Sequence, residues 1–182
     1  TAHWAGNGKR MKTKEVIINS ATSKNIEDID EVSEKIGVGA ILYSFLKNGR
    51  EKDIVFTWKD ILDFEGESGP YVQYAYARGK SVLRKAEESG IDYSAADLSL
   101  LEGNDEFELV KLINSFGDAV KDAANKNEPC CVTRYVTDLA QLFNKFYNTC
   151  NIMKSEPKLR DARLKLTEAT CVCIKSALYL IG

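Results

Sequence analysis

The segment FEGESGPYVQYAYAR, residues 64–78, combines the residue types best suited to holding a ligand. Tyr71, Tyr74 and Arg78 stand at i, i+3 and i+7, so a helix would place them on one face, with Gln73 and Tyr76 beside it. Two readings fit that spacing. One is an aromatic core stripe. The other is a recognition face, because the polar tips of tyrosine need partners when buried, whereas exposed rings make stacking platforms for unstacked RNA bases. Arginine in that face would contact phosphate. The loop before it carries Gly66 and Gly69, where a backbone without side-chain bulk could approach a sugar–phosphate chain closely.

A second aromatic and basic patch comprises Arg134, Tyr135, Phe143, Lys145, Phe146 and Tyr147, followed across a turn by Lys158, Arg160 and Arg163. Leu139, Leu142, Phe143 and Phe146 recur at three and four, which assigns them to a core stripe and leaves Tyr147 at its margin. Catalytic chemistry finds no footing in the rest. His3 is the only histidine, near a terminus and without partners, and is read as incidental. Cys130-Cys131 and Cys171-x-Cys173 lack the spacing of a zinc knuckle and read as small apolar residues. No phosphate-cradling glycine motif or nucleophile elbow occurs, so this chain alone is not expected to be an enzyme.

The elements that must position these residues are helical, and the expected fold is an all-α helical bundle. A stripe of Ile29, Val32, Ile36, Ala40, Leu42, Phe45 and Leu46 predicts a helix over 28–47, with Gly37 and Gly39 permitting a close approach or a break. Asn48-Gly49 signals a turn, and Ile54, Val55 and Phe56 suggest a short extended stretch. Further helices are expected over 71–88, 105–126, 128–153 and 156–181. The core side of the 105–126 helix is read as Phe107, Leu109, Val110, Leu112, Ile113, Phe116 and Val120. Each of the three prolines, Pro70, Pro129 and Pro157, precedes or opens a helical segment, where a missing N–H loses no partner.

Composition narrows the rest. The 182 residues are 44% hydrophobic and carry 25 Lys+Arg against 27 Asp+Glu, a formal charge of −2. That total averages two unlike parts: residues 130–182 carry eight basic and four acidic residues, a balance of +4, and the remainder carries −6. A basic C-terminal part with exposed aromatics suits a polyanion. Five cysteines form no paired framework, which suggests a cytoplasmic setting. No run approaches the roughly 18 apolar residues of a membrane span, and residues 1–10 do not resemble a signal peptide. The opening lacks Met, so a piece of a longer chain is expected.

The run FTWKDILDFEGESGPYVQYAYARGKSVLRKA, residues 56–86, resembles the passage in arginyl-tRNA synthetases that leaves the catalytic domain and enters the C-terminal domain. EKIGVGAILYSFLKN (34–48) is similar to the glycine-rich helix ahead of that passage. YVTDLAQLFNKFYNTCNI (135–152) and RDARLKLTEATCVCIKSALYLIG (160–182) resemble the last helices of the family's DALR-type anticodon-binding domain. The resemblance implies a tail of the catalytic domain over 1–63, as a helical connector, and an anticodon-binding domain over 64–182. The family's HIGH motif is absent. GKRMKTK, residues 8–14, reads as a solvated basic tail, with a remnant of the KMSKS loop as the alternative.

Members of this family are class I ligases that use ATP and Mg to join arginine to arginine tRNA. The resemblance therefore implies that this chain supplies tRNA recognition and holds no cofactor of its own. Its implied partners are arginine tRNA and the N-terminal catalytic domain of the parent, and it is expected to be monomeric and cytoplasmic. The loop from Phe64 through Glu65 and Gly66 to Gly69 resembles the omega loop that arranges the anticodon loop. Tyr71 and Tyr74 resemble tRNA-contacting tyrosines, and Tyr147 one that packs on an anticodon base. Charge and spacing add Gln73, Arg78, Arg134, Arg160 and Arg163. The chain stops at Leu180-Ile181-Gly182, short of the Pro- and Met-containing tail of the family, so contacts made by that tail are expected to be missing. The rival reading is a helical protein-interaction module that docks on another protein or on the missing catalytic half. A truncated but active enzyme is a third, opposed by the missing HIGH motif.

Overall fold

A computed structural model describes residues 29–55, 57–63 and 66–182. Helices α1 (Ile29–Leu46), α2 (Trp58–Ile61), α3 (Gly69–Glu88), α4 (Asn104–Asn114), α5 (Phe116–Lys126), α6 (Cys130–Thr149) and α7 (Pro157–Leu180) follow in order. Short 3-10 turns form at Leu98–Leu100 and Ile152–Lys154. Among the described residues there is no strand, and no helix is long and apolar enough to cross a membrane. The expected all-α bundle is what forms. Pro70 and Pro157 sit in the first turns of α3 and α7, and Pro129 occupies the cap position before α6.

Helix α6 is the central element. Val136, Leu139, Ala140, Phe143 and Phe146 are fully buried on it, and α1, α3, α4, α5 and α7 all pack around it. Helix α3 contributes Val72, Ala75, Val82, Leu83 and Ala86, while α7 contributes Leu164, Leu166, Cys171, Ile174 and Ala177. Gly79 makes the three-way junction possible. A Cβ there would stand 2.5 Å from Cys171 Sγ and 3.3 Å from the Phe143 ring, so only glycine lets α3 lie flush on both neighbours.

Two expectations need correction. Helix α1 forms as predicted, but only part of its apolar stripe faces the core: Ala40 is buried and Leu46 packs against the core cluster. Val32, Leu42 and Phe45 are exposed, whereas Ser33, Gly37, Ala40, Tyr43 and Ser44 are buried. The buried face lies close against α3: a Cβ at Gly69 would stand 3.1 Å from Tyr43 Cβ and 3.2 Å from Ala40 Cα, so the glycine at 69 is what lets the two helices meet there. Residues 54 and 55 belong to no strand and are exposed, Val55 at 86%, and Phe56 lies outside the described residues.

The second correction concerns the single helix expected over 105–126, which breaks at Ser115 into α4 and α5. The break frees the Leu112 carbonyl to accept from Ser115 Oγ at 2.8 Å and from Tyr135 Oη at 3.1 Å. It also turns Phe116 onto the Tyr135 ring, with centroids 5.3 Å apart. Two short helices thus wrap α6 where one straight helix would pass it by. Leu109 is buried in consequence, but Phe107 and Val110, expected in the core, are exposed.

A polar seam joins α1 to α6. Tyr43 Oη bonds Thr137 Oγ1 and donates to the Thr133 carbonyl at 3.4 Å, and Thr133 Oγ1 donates to the Leu46 carbonyl at 3.2 Å. Burial, with the nearby Glu67 and Asp138 charges adding, pushes the Tyr43 hydroxyl up to about 12, although its bond to Thr137 acts the other way.

Two outcomes are expected. A phenol raised in the folded state stabilises fully below the unfolded value of about 10, and that contribution disappears as pH rises through the folded value. Chemical denaturation across pH 9–12 should therefore show stability falling, and Tyr43→Phe should flatten the fall. Gly79→Ala should lower unfolding free energy by about 1–3 kcal/mol through overpacking. Adding Cys171→Ala should recover part of that loss in the same urea titration.

Candidate nucleic-acid interface

The start of α3 aims the tyrosine face. Ser68 caps the helix with extended backbone, and its Oγ accepts from the Tyr71 N–H at 3.1 Å while donating to the Asp63 carbonyl. The Ser68 N–H donates to the Gly66 carbonyl at 2.9 Å, and Lys47 Nζ donates to the Glu67 carbonyl at 3.2 Å. A Cβ at Gly66 would stand 2.7 Å from Asp63 Oδ2, so the turn is tight at that glycine. Phe64 and Glu65, both expected site residues, lie outside the described residues, as do His3 and the GKRMKTK segment.

Two turns beyond Tyr71, Arg78 draws the two aromatic patches together. Its guanidinium carbon lies 4.7 Å from the centroid of the Tyr74 ring and 4.7 Å from that of Tyr147 on α6. Nη2 donates to Tyr74 Oη at 3.0 Å, and Nη1 donates to Asn144 Oδ1 at 2.9 Å. The Tyr147 ring is backed by buried Phe143, with centroids 6.4 Å apart. Tyr74 remains 47% exposed, and Tyr71, Tyr147 and Arg78 are half-buried. A cation held against two aromatic faces at the solvent boundary can stack a planar ring and attract negative charge in one place.

The other expected residues are placed differently. Gln73 turns away toward α1: its Nε2 is 3.0 Å from where a Cβ on Gly39 would be, and its buried Oε1 has no hydrogen-bond partner. Arg134 is exposed on α6 and lowers the pKa of Asp138, against the stronger upward push of that group's own burial. Arg160 bonds its neighbour Asp161 at 2.8 Å. Arg163 points inward, with Nε 2.6 Å from Glu106 Oε1 and Nη1 2.6 Å from Ser155 Oγ, while Glu106 Oε2 accepts from the Gly103 N–H at 2.8 Å.

The second patch therefore divides. Tyr135 is a core residue whose hydroxyl is spent on the Leu112 carbonyl, and burial raises its pKa. Lys145 is tied to Asp105 at 2.7 Å; hydrogen bonds from Lys145 first and Thr149 second hold that carboxyl below its usual range. Only Tyr147 joins the α3 face. Asn144, which spacing arguments passed over, joins it too; its one sequence signal is the i, i+3 relation to Tyr147.

Residues 72–182 match the family described as DALR anticodon binding domain. The chain belongs to that family. Among its relatives, the arginine–tRNA ligase of Clostridium kluyveri is 50% identical over 167 residues, which are 91% of this chain and 29% of the relative. That of Clostridium botulinum strain Hall is 52% identical over the same shares. The Thermus thermophilus arginyl-tRNA synthetase superposes with a TM-score of 0.88 at 30% identity, covering 97% of this chain and 30% of that one. The Plasmodium falciparum arginyl-tRNA synthetase gives 0.84 at 27% identity, covering 97% and 31%. This DALR-domain chain spans about three tenths of the length of these relatives, and the structural likeness reaches beyond the family match to include α1.

The placement of Arg163 has a measurable consequence. Its side chain is 17% exposed and that of Glu106 2%, so removing one partner strands a buried charge. Arg163→Ala should cost about 3–5 kcal/mol in urea unfolding. The paired change Glu106→Gln with Arg163→Met should cost less, because no uncompensated charge remains.

Proposed function

We propose that this chain recognises arginine tRNA through its anticodon, as the tRNA-reading part of a ligase that joins arginine to that tRNA with ATP. The observation that carries this reading is the Arg78 guanidinium lying 4.7 Å from both the Tyr74 and the Tyr147 ring centroids, at the boundary with solvent, in a chain of the DALR family. Splayed anticodon bases stack on the tyrosines while Arg78 and the exposed Arg134 attract the phosphates. Tyr71, Gly66 and the rest of the 64–69 loop shape the approach, with Gln73, Arg160 and Arg163 setting the scaffold around it.

In this reading residues 1–63 lead in from the catalytic domain and residues 64–182 form the anticodon-binding unit, working as a monomer in the cytoplasm. ATP and magnesium belong to the part of the ligase outside this chain. Among the described residues no three His, Cys, Asp or Glu side chains are grouped to hold a metal ion, and no residue here is assigned to either group.

Filter binding with an arginine tRNA transcript, alongside transcripts carrying single anticodon changes, tests the proposal. The cognate transcript should bind more tightly than the altered ones. Tyr74→Ala and Tyr147→Ala should each weaken it by about 1–3 kcal/mol, the usual worth of a base–aromatic stack. Arg134→Ala should weaken all transcripts alike and reduce the salt slope by about one. Equal affinity for every transcript would overturn the reading.

A further inference from the structure

Asn144 sits one turn before Tyr147 on α6, half-buried, with its Oδ1 accepting from Arg78 Nη1 at 2.9 Å. A guanidinium offers donors only, so the amide oxygen must face Arg78, which leaves the amide NH2 to donate to another partner. Chemistry thus fixes the orientation of this amide, which an isolated asparagine would leave open. The guanidinium is itself fixed, by its bond to Tyr74 Oη at 3.0 Å and by the two rings it lies against. Beside the tyrosine faces, the polar edge consists of the Asn144 NH2 and the Arg78 N–H groups that neither Asn144 nor Tyr74 occupies. It is an edge of donors.

We propose that Asn144 is a specificity-determining residue that reads, with Arg78, the acceptor edge of one unstacked base. An edge of donors selects two adjacent acceptors. Cytosine supplies them as O2 and N3, and guanine as O6 and N7; uracil sets an N3–H between its carbonyls, and adenine sets its amino group beside N7. The tyrosines stack any base, because every base has a π-face, so discrimination has to come from this edge. The inference rests on the tRNA reading above and adds to it the residue that distinguishes bases.

Two substitutions separate the roles of the amide. Asn144→Asp keeps an oxygen for Arg78 but presents no N–H to a base, and Asn144→Leu removes both functions. The probes are the full arginine tRNA transcript and transcripts with each anticodon position changed to the other bases, and folding is checked by thermal unfolding. The unaltered chain should prefer cytosine or guanine over uracil and adenine at one anticodon position by about tenfold or more. Both variants should bring that ratio to about one, while the ratios at other positions stay as they were; the salt slope should hold in Asn144→Leu and fall in Asn144→Asp, whose carboxylate neutralises Arg78. Should Asn144→Leu fail to fold, Asn144→Asp alone decides. If Asn144→Asp retains the ratio that Asn144→Leu loses, Asn144 acts only by positioning Arg78, and base reading by it is overturned. Unchanged ratios in both variants overturn the inference and leave the tRNA reading standing. An unaltered chain indifferent to every anticodon change overturns both.

Discussion

Close contact at Gly79 sets the register of the whole molecule. With no side chain there, α3 rests directly on Cys171 of α7 and Phe143 of α6. The residue before Gly79 is Arg78, and the residue after Phe143 is Asn144, so seating one pair brings the other within hydrogen-bond reach. Tyr147, one helical turn beyond Phe143, is carried onto the same guanidinium. A packing contact that contains no polar atom beyond a thiol therefore determines where a polar recognition site can exist. The same logic holds at the other end of α3, where Gly69 lies against Ala40 and Tyr43, and Ser68 caps the helix that carries the tyrosines.

Around this junction the charges do two kinds of work. Arg163 with Glu106, and Lys145 with Asp105, tie α4 to α7 and to α6, so these cations are consumed inside the protein. The ion pair of Arg163 is nearly dry, where breaking it costs far more than forming it gains. Arg78 is held differently: its partners are a neutral amide, a phenol and two rings, which orient the guanidinium without cancelling its charge. A cation fixed in place and still uncompensated is what a polyanion can use. The formal balance of +4 over residues 130–182 overstates what the surface offers, since several of its members are already paired.

Local rules account for most of the helices. Apolar residues at three and four, prolines in first turns, Ser68 as a cap, and Asn127 in a left-handed conformation closing α5 are all one-dimensional signals that the fold obeys. The pattern misleads where a helix meets more than one kind of neighbour. Helix α1 buries Tyr43 with the small residues Ser33, Gly37, Ala40 and Ser44, although periodicity favours its large apolar residues. The close approach of Gly69 to Ala40 and Tyr43 and the bonds of the Tyr43 hydroxyl decide which face turns inward. At Ser115 the spacing continues unbroken, yet the Leu112 carbonyl is better used by Tyr135 on another helix, and the chain turns.

The tyrosine and arginine of residues 71–78 were legible because i, i+3 and i+7 need only the helix itself to share a face. That Tyr147 belongs with them, that Asn144 completes the group, and that Arg163, Tyr135 and Lys145 do not join it, depend on which turn of α6 meets which turn of α3. Residue types along the chain state what each side chain can donate, accept or stack upon. They do not state which of them meet, because meeting is settled by the distance between helix axes, and that distance is set at a glycine far along the chain from the groups it aligns: Gly79 lies 64 residues from Phe143 and 92 from Cys171, yet touches both.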